Sequence, residues 1–147
     1  MRLTADYPQI WFLGFLVAAI LMGRLWPHGP AWLAAPGIVL AMAGLALISM
    51  ATLRMRMGRT TLDPYGKPDH LVTSGVFAIS RNPIYLGNAF LLAGACLAFA
   101  APLALPVVVL AFVLVINRRF IPREEANLRA AFPQEFPVYA MSVRRWI

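Results

Sequence analysis

The sequence predicts an all-α, polytopic membrane protein with about four transmembrane helices. Its 147 residues are 61% hydrophobic and only 13% charged, with a mean hydropathy of +0.71, whereas about a quarter of the residues of a soluble domain are usually charged. The apolar residues form long uncharged stretches, and the charged residues lie mainly between them. Backbone polar groups in lipid must be satisfied within the chain, so each apolar stretch is expected to be a helix.

Uncharged stretches of about 20 residues define the expected spans. The first contains Arg24 as its only charge, and the second contains none. The uncharged stretch 84–117 is too long for one span, and Pro102 and Pro106 interrupt its middle, where each removes a backbone donor and disfavours a continuous helix. We therefore expect a break near residues 100–106. The four expected spans are residues 9–26, 31–53, 83–100 and 103–120.

The distribution of charge predicts the orientation. With four spans, every Lys and Arg except Arg24 lies on one side, together with all six acidic residues. Cytoplasmic loops carry the excess of Lys and Arg, so both termini are expected in the cytoplasm, and any chemistry is expected to face it. We expect the inner or plasma membrane of a bacterium. The net charge of +7 is therefore interpreted as membrane orientation and not as nucleic-acid binding.

The supply of metal ligands is poor. One Cys and two His exclude a disulfide framework and a Cys-rich zinc module, and we predict no metal ligand. The expected partners are the lipid bilayer and a lipophilic small-molecule or lipid substrate.

The polar loop 54–83 contains the first candidate site. Asn is a favoured helix N-cap and Pro a favoured first helical residue, so Asn82 and Pro83 predict a helix start at the cytoplasmic surface. Such a terminus suits a carboxylate or phosphate, and Arg81 adds a positive charge beside it. Tyr85, one turn further on, either binds a ligand or anchors the interface.

The second candidate site follows the last span. Glu124 shares a helical stripe with apolar Phe120 and Leu128, and a carboxylate there is costly unless a cation meets it. That cation is either an arginine of the same segment or the ammonium group of a ligand, and the spacing leaves both open. Glu125, four residues before Arg129, is interpreted as an ordinary surface ion pair.

Two segments together resemble a known family. LVTSGVFAISRNPIYLG (71–87), followed by REEANLRAAFPQEFPVY (123–139), resembles the C-terminal core of isoprenylcysteine carboxyl methyltransferases and of related integral-membrane phospholipid methyltransferases. The resemblance covers roughly residues 58–143. It implies S-adenosylmethionine as cofactor, bound at the cytoplasmic face by segments 58–86 and 118–145.

The resemblance also implies a set of site residues. Glu124 is expected to meet the cofactor ammonium, and the helix start at Asn82 and Pro83 its carboxylate. The expected adenine surface consists of Leu71, Val72 and Phe77. The family's usual His is Asn82 here, and its Arg four residues before the first Glu is Phe120. With Arg119 and Arg81 added for their positive charges, the predicted catalytic residues are Arg119 and Tyr85. The predicted cofactor-binding residues are Asp69, His70, Leu71, Val72, Phe77, Arg81, Asn82, Pro83, Ile84, Tyr85 and Glu124.

The expected reaction is methyl transfer from S-adenosylmethionine to a lipophilic or lipid-modified acceptor. Carboxyl O-methylation is favoured, with Arg119 orienting the acceptor carboxylate. A second hypothesis is a phospholipid or lipid-amine N-methyltransferase, which needs a base such as His70. A non-catalytic membrane scaffold and a small transporter are further hypotheses, although the stretches 31–53 and 84–117 lack the ionisable residue that proton coupling requires.

Overall fold

The computed structural model describes residues 7–61, 66 and 68–147. Every regular element within these residues is helical, so the predicted all-α fold is confirmed. Residues 62–65 and 67, which belong to the expected cofactor segment 58–86, lie outside the described residues, as do residues 1–6.

The described residues contain six α-helices. Short 3-10 turns, Ala31–Leu33 and Gly75–Ala78, precede the second and third helices, and a π-helical turn, Ile116–Phe120, joins the fourth to the fifth. The helices are α1 (Pro8–Leu25), α2 (Ala34–Met57), α3 (Pro83–Ala98), α4 (Ala104–Val115), α5 (Ile121–Ala131) and α6 (Glu135–Ser142).

Three helical runs are long and apolar enough to cross a membrane: Pro8–Leu25, Ala31–Met57 and Ala104–Ala131. The fourth apolar helix, α3, has 16 residues, which gives a length of about 24 Å, somewhat less than the ~30 Å hydrocarbon core. The chain turns back between α3 and α4, where Ala100 has a positive φ of 58°. This is the architecture of a polytopic membrane protein.

The third long run continues beyond the expected end at residue 120. Pro122 lacks an N–H group, and its ring would collide with the carbonyl group four residues earlier in a regular α-helix. The π-helical turn widens the backbone just before this point: the Ile121 N–H bonds to the Ile116 carbonyl, five residues back. The helix therefore passes Pro122 and carries Glu124 on the same rigid element as α4.

Helix α3 is central, with α2 on one side and α1 and α4 on the other. Glycines allow the close approach to α2: a Cβ on Gly44 would lie 2.5 Å from the Gly87 carbonyl oxygen, and one on Gly94 would lie 2.6 Å from that of Gly37. On the opposite side, the Phe112 ring is fully buried. This packing fixes the Pro83 end of α3, where the candidate site lies.

Candidate active site

A cavity lies at the Pro83 end of α3. Its wall comes from the start of α1, the end of α2, the loop before α3, the first turn of α3, and helices α5 and α6. All the predicted cofactor-binding residues except Asp69 line it. The loop residues among them are His70, Leu71, Val72, Phe77, Arg81 and Asn82, and the helical ones are Pro83, Ile84, Tyr85 and Glu124.

Tyr85 and Glu124 join the two predicted parts of the site. The Tyr85 hydroxyl donates a hydrogen bond to Glu124 Oε1, and both side chains line the cavity. Tyr85 is buried because it lies in the first turn of the central helix. The hydrogen-bond partner of Glu124 within the described residues is thus this hydroxyl and not an arginine of its own segment.

Asn82 occupies the predicted N-cap position of α3, but the prediction that its side chain caps the helix is wrong. Its side chain makes no cap, and its Nδ2 instead donates to the Arg145 carbonyl oxygen at 3.0 Å. The tertiary partner is available because residues 144 and 145 run beside the start of α3, where the Arg81 N–H donates to the Arg144 carbonyl oxygen at 2.9 Å. The first turn of α3, which lines the cavity, therefore begins without a side-chain cap.

The predicted surface pair between Glu125 and Arg129 is also wrong. Glu125 accepts two hydrogen bonds from Arg145, at 2.8 Å and 2.7 Å, and its Oε1 lies 3.1 Å from Arg81 Nη2. Arg129 instead lies over the Phe136 ring, 5.7 Å from its centroid. A bidentate guanidinium pair on a largely buried carboxylate is stronger than an exposed pair one helical turn apart. The hydrogen bonds to Glu125 raise the pKa of Arg145.

The Arg81 side chain is only 13% exposed. Its Nη1 donates to the Ala140 carbonyl oxygen at 3.4 Å, whereas its Nε is buried and finds no acceptor in the part of the chain that the structure describes. A buried donor without a partner costs about 1–3 kcal/mol. Arg81 also lines the cavity, so the wall contains a cationic group, which suits an anionic ligand.

Helix α6 contributes Phe136 and Tyr139 to the wall, two residues within the expected segment 118–145 that the sequence pattern does not single out. The Tyr139 hydroxyl donates to the Phe77 carbonyl oxygen at 2.6 Å, which fixes the turn before α3. Burial raises the pKa of Tyr139 to about 12, so the phenol is neutral near pH 7. Glu125 was missed because its partners, Arg81 and Arg145, are distant in sequence.

Three residues singled out in the sequence lie elsewhere. Asp69 is exposed and does not line the cavity. Arg119 is exposed and lies over the Trp11 ring, 5.5 Å from its centroid, outside the cavity wall. Phe120 is 2% exposed and belongs to the hydrophobic core. The roles predicted for Asp69 and Arg119 stay predictions.

The donor set determines what the cavity can hold. No group of three or more His, Cys, Asp or Glu side chains within the described residues could hold a metal ion. The ionisable groups of the described wall include the carboxylates of Glu124 and Glu125, His70 and Arg81, with apolar Leu71, Val72 and Phe77 beside them. An acid at one position, a cation at another and an apolar surface suit a zwitterionic ligand with a ring system.

The phospholipid methyltransferase family model matches residues 32–135. This range contains most of the cavity wall, including Tyr85 and Glu124, and all of α2 to α5. No curated protein sequence matches the chain significantly. The match covers well over half of the chain, and methyltransferases of this kind imply S-adenosylmethionine as methyl donor. The chain therefore belongs to the phospholipid methyltransferase family, a family of integral-membrane methyltransferases related to the isoprenylcysteine carboxyl methyltransferases.

Proposed function

We propose that this protein binds S-adenosylmethionine in the cavity at the start of α3 and transfers its methyl group to a lipophilic acceptor. The observation that carries the proposal is the hydrogen bond between Tyr85 and Glu124. It joins the start of α3 to α5 within one cavity wall, so that an acid and a helix N-terminus can bind the two charged ends of one amino-acid moiety.

The residues of the wall fit each part of this cofactor. Glu124 is the acceptor for its ammonium group. The uncapped first turn of α3 and the Arg81 guanidinium are donors for its carboxylate, since helix N-termini and guanidinium groups both favour anions. Leu71, Val72 and Phe77 form an apolar surface for adenine.

The bound cofactor supplies an activated methyl group that a nucleophile displaces directly. The chain's own residues contribute binding and alignment: they hold donor and acceptor close together and in line, from which most of the acceleration would come. Tyr85 holds the Glu124 carboxylate in place, and helix α6 covers the cavity with Phe136 and Tyr139.

Two acceptor groups remain candidates. A carboxylate acceptor, which the sequence favours, needs a cation to orient it, and Arg119 would serve only if the acceptor bound beside Trp11. One observation favours an amine instead. Among the described residues of the cavity wall, Glu124 and Glu125 are two carboxylates, and Arg81 is the only Arg or Lys. Once Arg81 meets the cofactor carboxylate, none of these residues is left as a cation to orient an acceptor carboxylate. His70 is then the candidate base that removes the amine proton.

The acceptor is proposed to enter from the bilayer. Pro8 and Gln9 at the start of α1 and Met55 near the end of α2 line the cavity, and both helices expose large apolar side chains such as Leu13 and Leu53. We propose that this end of the bundle, with both termini, faces the cytoplasm, because the basic side chains are concentrated there.

Calorimetric titration of the detergent-purified protein with S-adenosylmethionine and S-adenosylhomocysteine tests the cofactor assignment. Wild type should bind both. Glu124→Gln should weaken binding by about ten- to a hundredfold, since a charge-assisted hydrogen bond contributes roughly 1.5–3 kcal/mol. Glu135→Gln, the same change on an exposed residue of α6, is the matched control. A wild-type protein that binds neither compound would refute the proposal.

Labelled-methyl transfer into a total lipid extract then identifies the acceptor group. A methyl ester releases its label on treatment with alkali, whereas an N-methylated amine retains it. Label released as volatile methanol supports the carboxylate acceptor, and label that stays non-volatile after alkali supports the amine.

A further inference from the structure

The chain after α6 makes an unusual set of contacts with the start of α3. The Arg145 carbonyl oxygen accepts hydrogen bonds from Ser80 Oγ at 3.1 Å and from Asn82 Nδ2 at 3.0 Å. One residue earlier, the Arg144 carbonyl oxygen accepts the Arg81 N–H at 2.9 Å. Residues 143–146, which we name the post-α6 segment, thus bind three consecutive residues immediately before α3.

The Arg145 side chain links this segment to α5. Its two hydrogen bonds hold the Glu125 carboxylate, which also pairs with Arg81. At the far end, Trp146 Nε1 donates to Asn117 Oδ1 at 3.1 Å, in the π-helical turn. The post-α6 segment therefore connects both halves of the cavity wall, the turn before α3 and the long helix that carries Glu124.

The charges in this cluster do not cancel. Arg81 and Arg145 carry two positive charges against the one negative charge of Glu125, and Arg81 and Glu125 are only 13% and 15% exposed. Arg145 is more exposed, at 42%, so solvent screens part of its charge. Glu125 and the Ala140 carbonyl each contact one Nη group of Arg81. A guanidinium has five N–H donors, and Arg81 lines the cavity, so donors remain for a ligand.

We propose that the post-α6 segment is a positioning element of the cofactor site, in which Arg145 acts through Glu125 to hold Arg81 toward the carboxylate of the bound cofactor. This inference rests on the proposed function and extends it to residues outside the cavity. Arg145 touches no ligand in this role. Arg145 holds Glu125, and Glu125 in turn holds Arg81. Without Arg145, the pair between Glu125 and Arg81 would be the only ion pair of this cluster that remains among the described residues.

The test measures S-adenosylhomocysteine affinity by calorimetry for Arg145→Ala, Arg145→Lys and the control Arg144→Ala. Arg145→Ala should weaken binding by about tenfold, because a misplaced charge-assisted contact costs on the order of 1.4 kcal/mol. Arg145→Lys keeps the charge but loses the bidentate geometry and should give an intermediate affinity. Arg144→Ala alters only an exposed side chain and should bind like wild type. Equal affinity in wild type and Arg145→Ala, or an equal loss in Arg144→Ala, would overturn the inference.

Hydrogen exchange without cofactor separates this inference from the proposed function. The amides of residues 77–86 should exchange faster in Arg145→Ala than in wild type or Arg144→Ala, because Arg81 donates its N–H to the same segment. Unchanged exchange overturns the positioning role whatever the calorimetry gives. Faster exchange in a protein whose wild type binds no S-adenosylhomocysteine would refute the cofactor assignment and leave the ordering of Arg81 supported.

Discussion

Tyr85 and Glu124 are 39 residues apart in the sequence, and the hydroxyl of the first donates a hydrogen bond to the carboxylate of the second. Two elements bring them together. Pro83 starts α3, so Tyr85 lies in its buried first turn, and the π-helical turn carries the long helix past Pro122, so that Glu124 reaches the same end of α3. The candidate site therefore depends on the relative position of α3 and α5.

Removing the Tyr85 hydroxyl should weaken cofactor binding without unfolding the protein. Tyr85→Phe retains the ring but leaves Glu124 without its hydrogen-bond partner, and we expect S-adenosylhomocysteine affinity to fall roughly tenfold. The double variant Tyr85→Phe/Glu124→Gln should lose less than the sum of the two single changes, because the residues act as one unit. Calorimetry at a single salt concentration gives the S-adenosylhomocysteine affinity of wild type, the two single variants and the double variant. Strict additivity would show that the two side chains contribute independently.

Close packing of α2 on α3 should make the Gly44 position intolerant of a methyl group. An added Cβ would lie 2.5 Å from the Gly87 carbonyl oxygen and 3.0 Å from the Leu91 nitrogen, both backbone atoms that a side-chain movement cannot relieve. We expect Gly44→Ala to lower the free energy of unfolding in detergent by about 1–3 kcal/mol. Gly14→Ala is the control, because its Cβ would meet nothing within 4 Å. If the two variants unfold alike, the close helix contact is absent in solution.

Alkaline pH should loosen the turn before α3. The pKa of Tyr139 is raised to about 12 from an ordinary value of 10.0, chiefly by burial. A raised pKa means that the phenol's contribution to stability is complete below about pH 10 and is lost as the pH rises through about 12. Between these pH values, the melting temperature in detergent should fall more steeply for wild type than for Tyr139→Phe. Parallel curves would contradict the buried, neutral phenol.

Arg119 distinguishes the two acceptor groups. If a carboxylate acceptor binds beside Trp11, Arg119→Ala should raise the KM for the acceptor about tenfold or more while leaving S-adenosylhomocysteine affinity unchanged. Arg118→Ala, at the adjacent exposed position, serves as the matched control. If the acceptor is an amine, neither substitution should change its KM by more than about twofold.

Much of the fold followed from the sequence. The uncharged stretches identified the apolar helices and the break between α3 and α4, since burial in lipid requires backbone hydrogen bonds within each segment. The helix start at Pro83 followed from local preferences of Asn and Pro. The continuous run through Pro122 did not, because proline usually ends a helix, and only the π-helical turn accommodates it here.

The candidate site, like the fold, could be predicted only in part from the sequence. Residue types and spacing made Tyr85, Asn82 and Glu124 candidates, because an acid on an apolar stripe and a proline after asparagine have recognisable local costs and preferences. Only the family resemblance assigned them to a cofactor site. The partners of these residues depended on segments far away in sequence: Arg145 binds Asn82 and Glu125, and Tyr85 binds Glu124. Local patterns specify which helix a residue occupies and which face it shares. Helix packing in three dimensions decides which charges and hydroxyls meet, because those contacts form only once α3, α5 and the post-α6 segment are assembled.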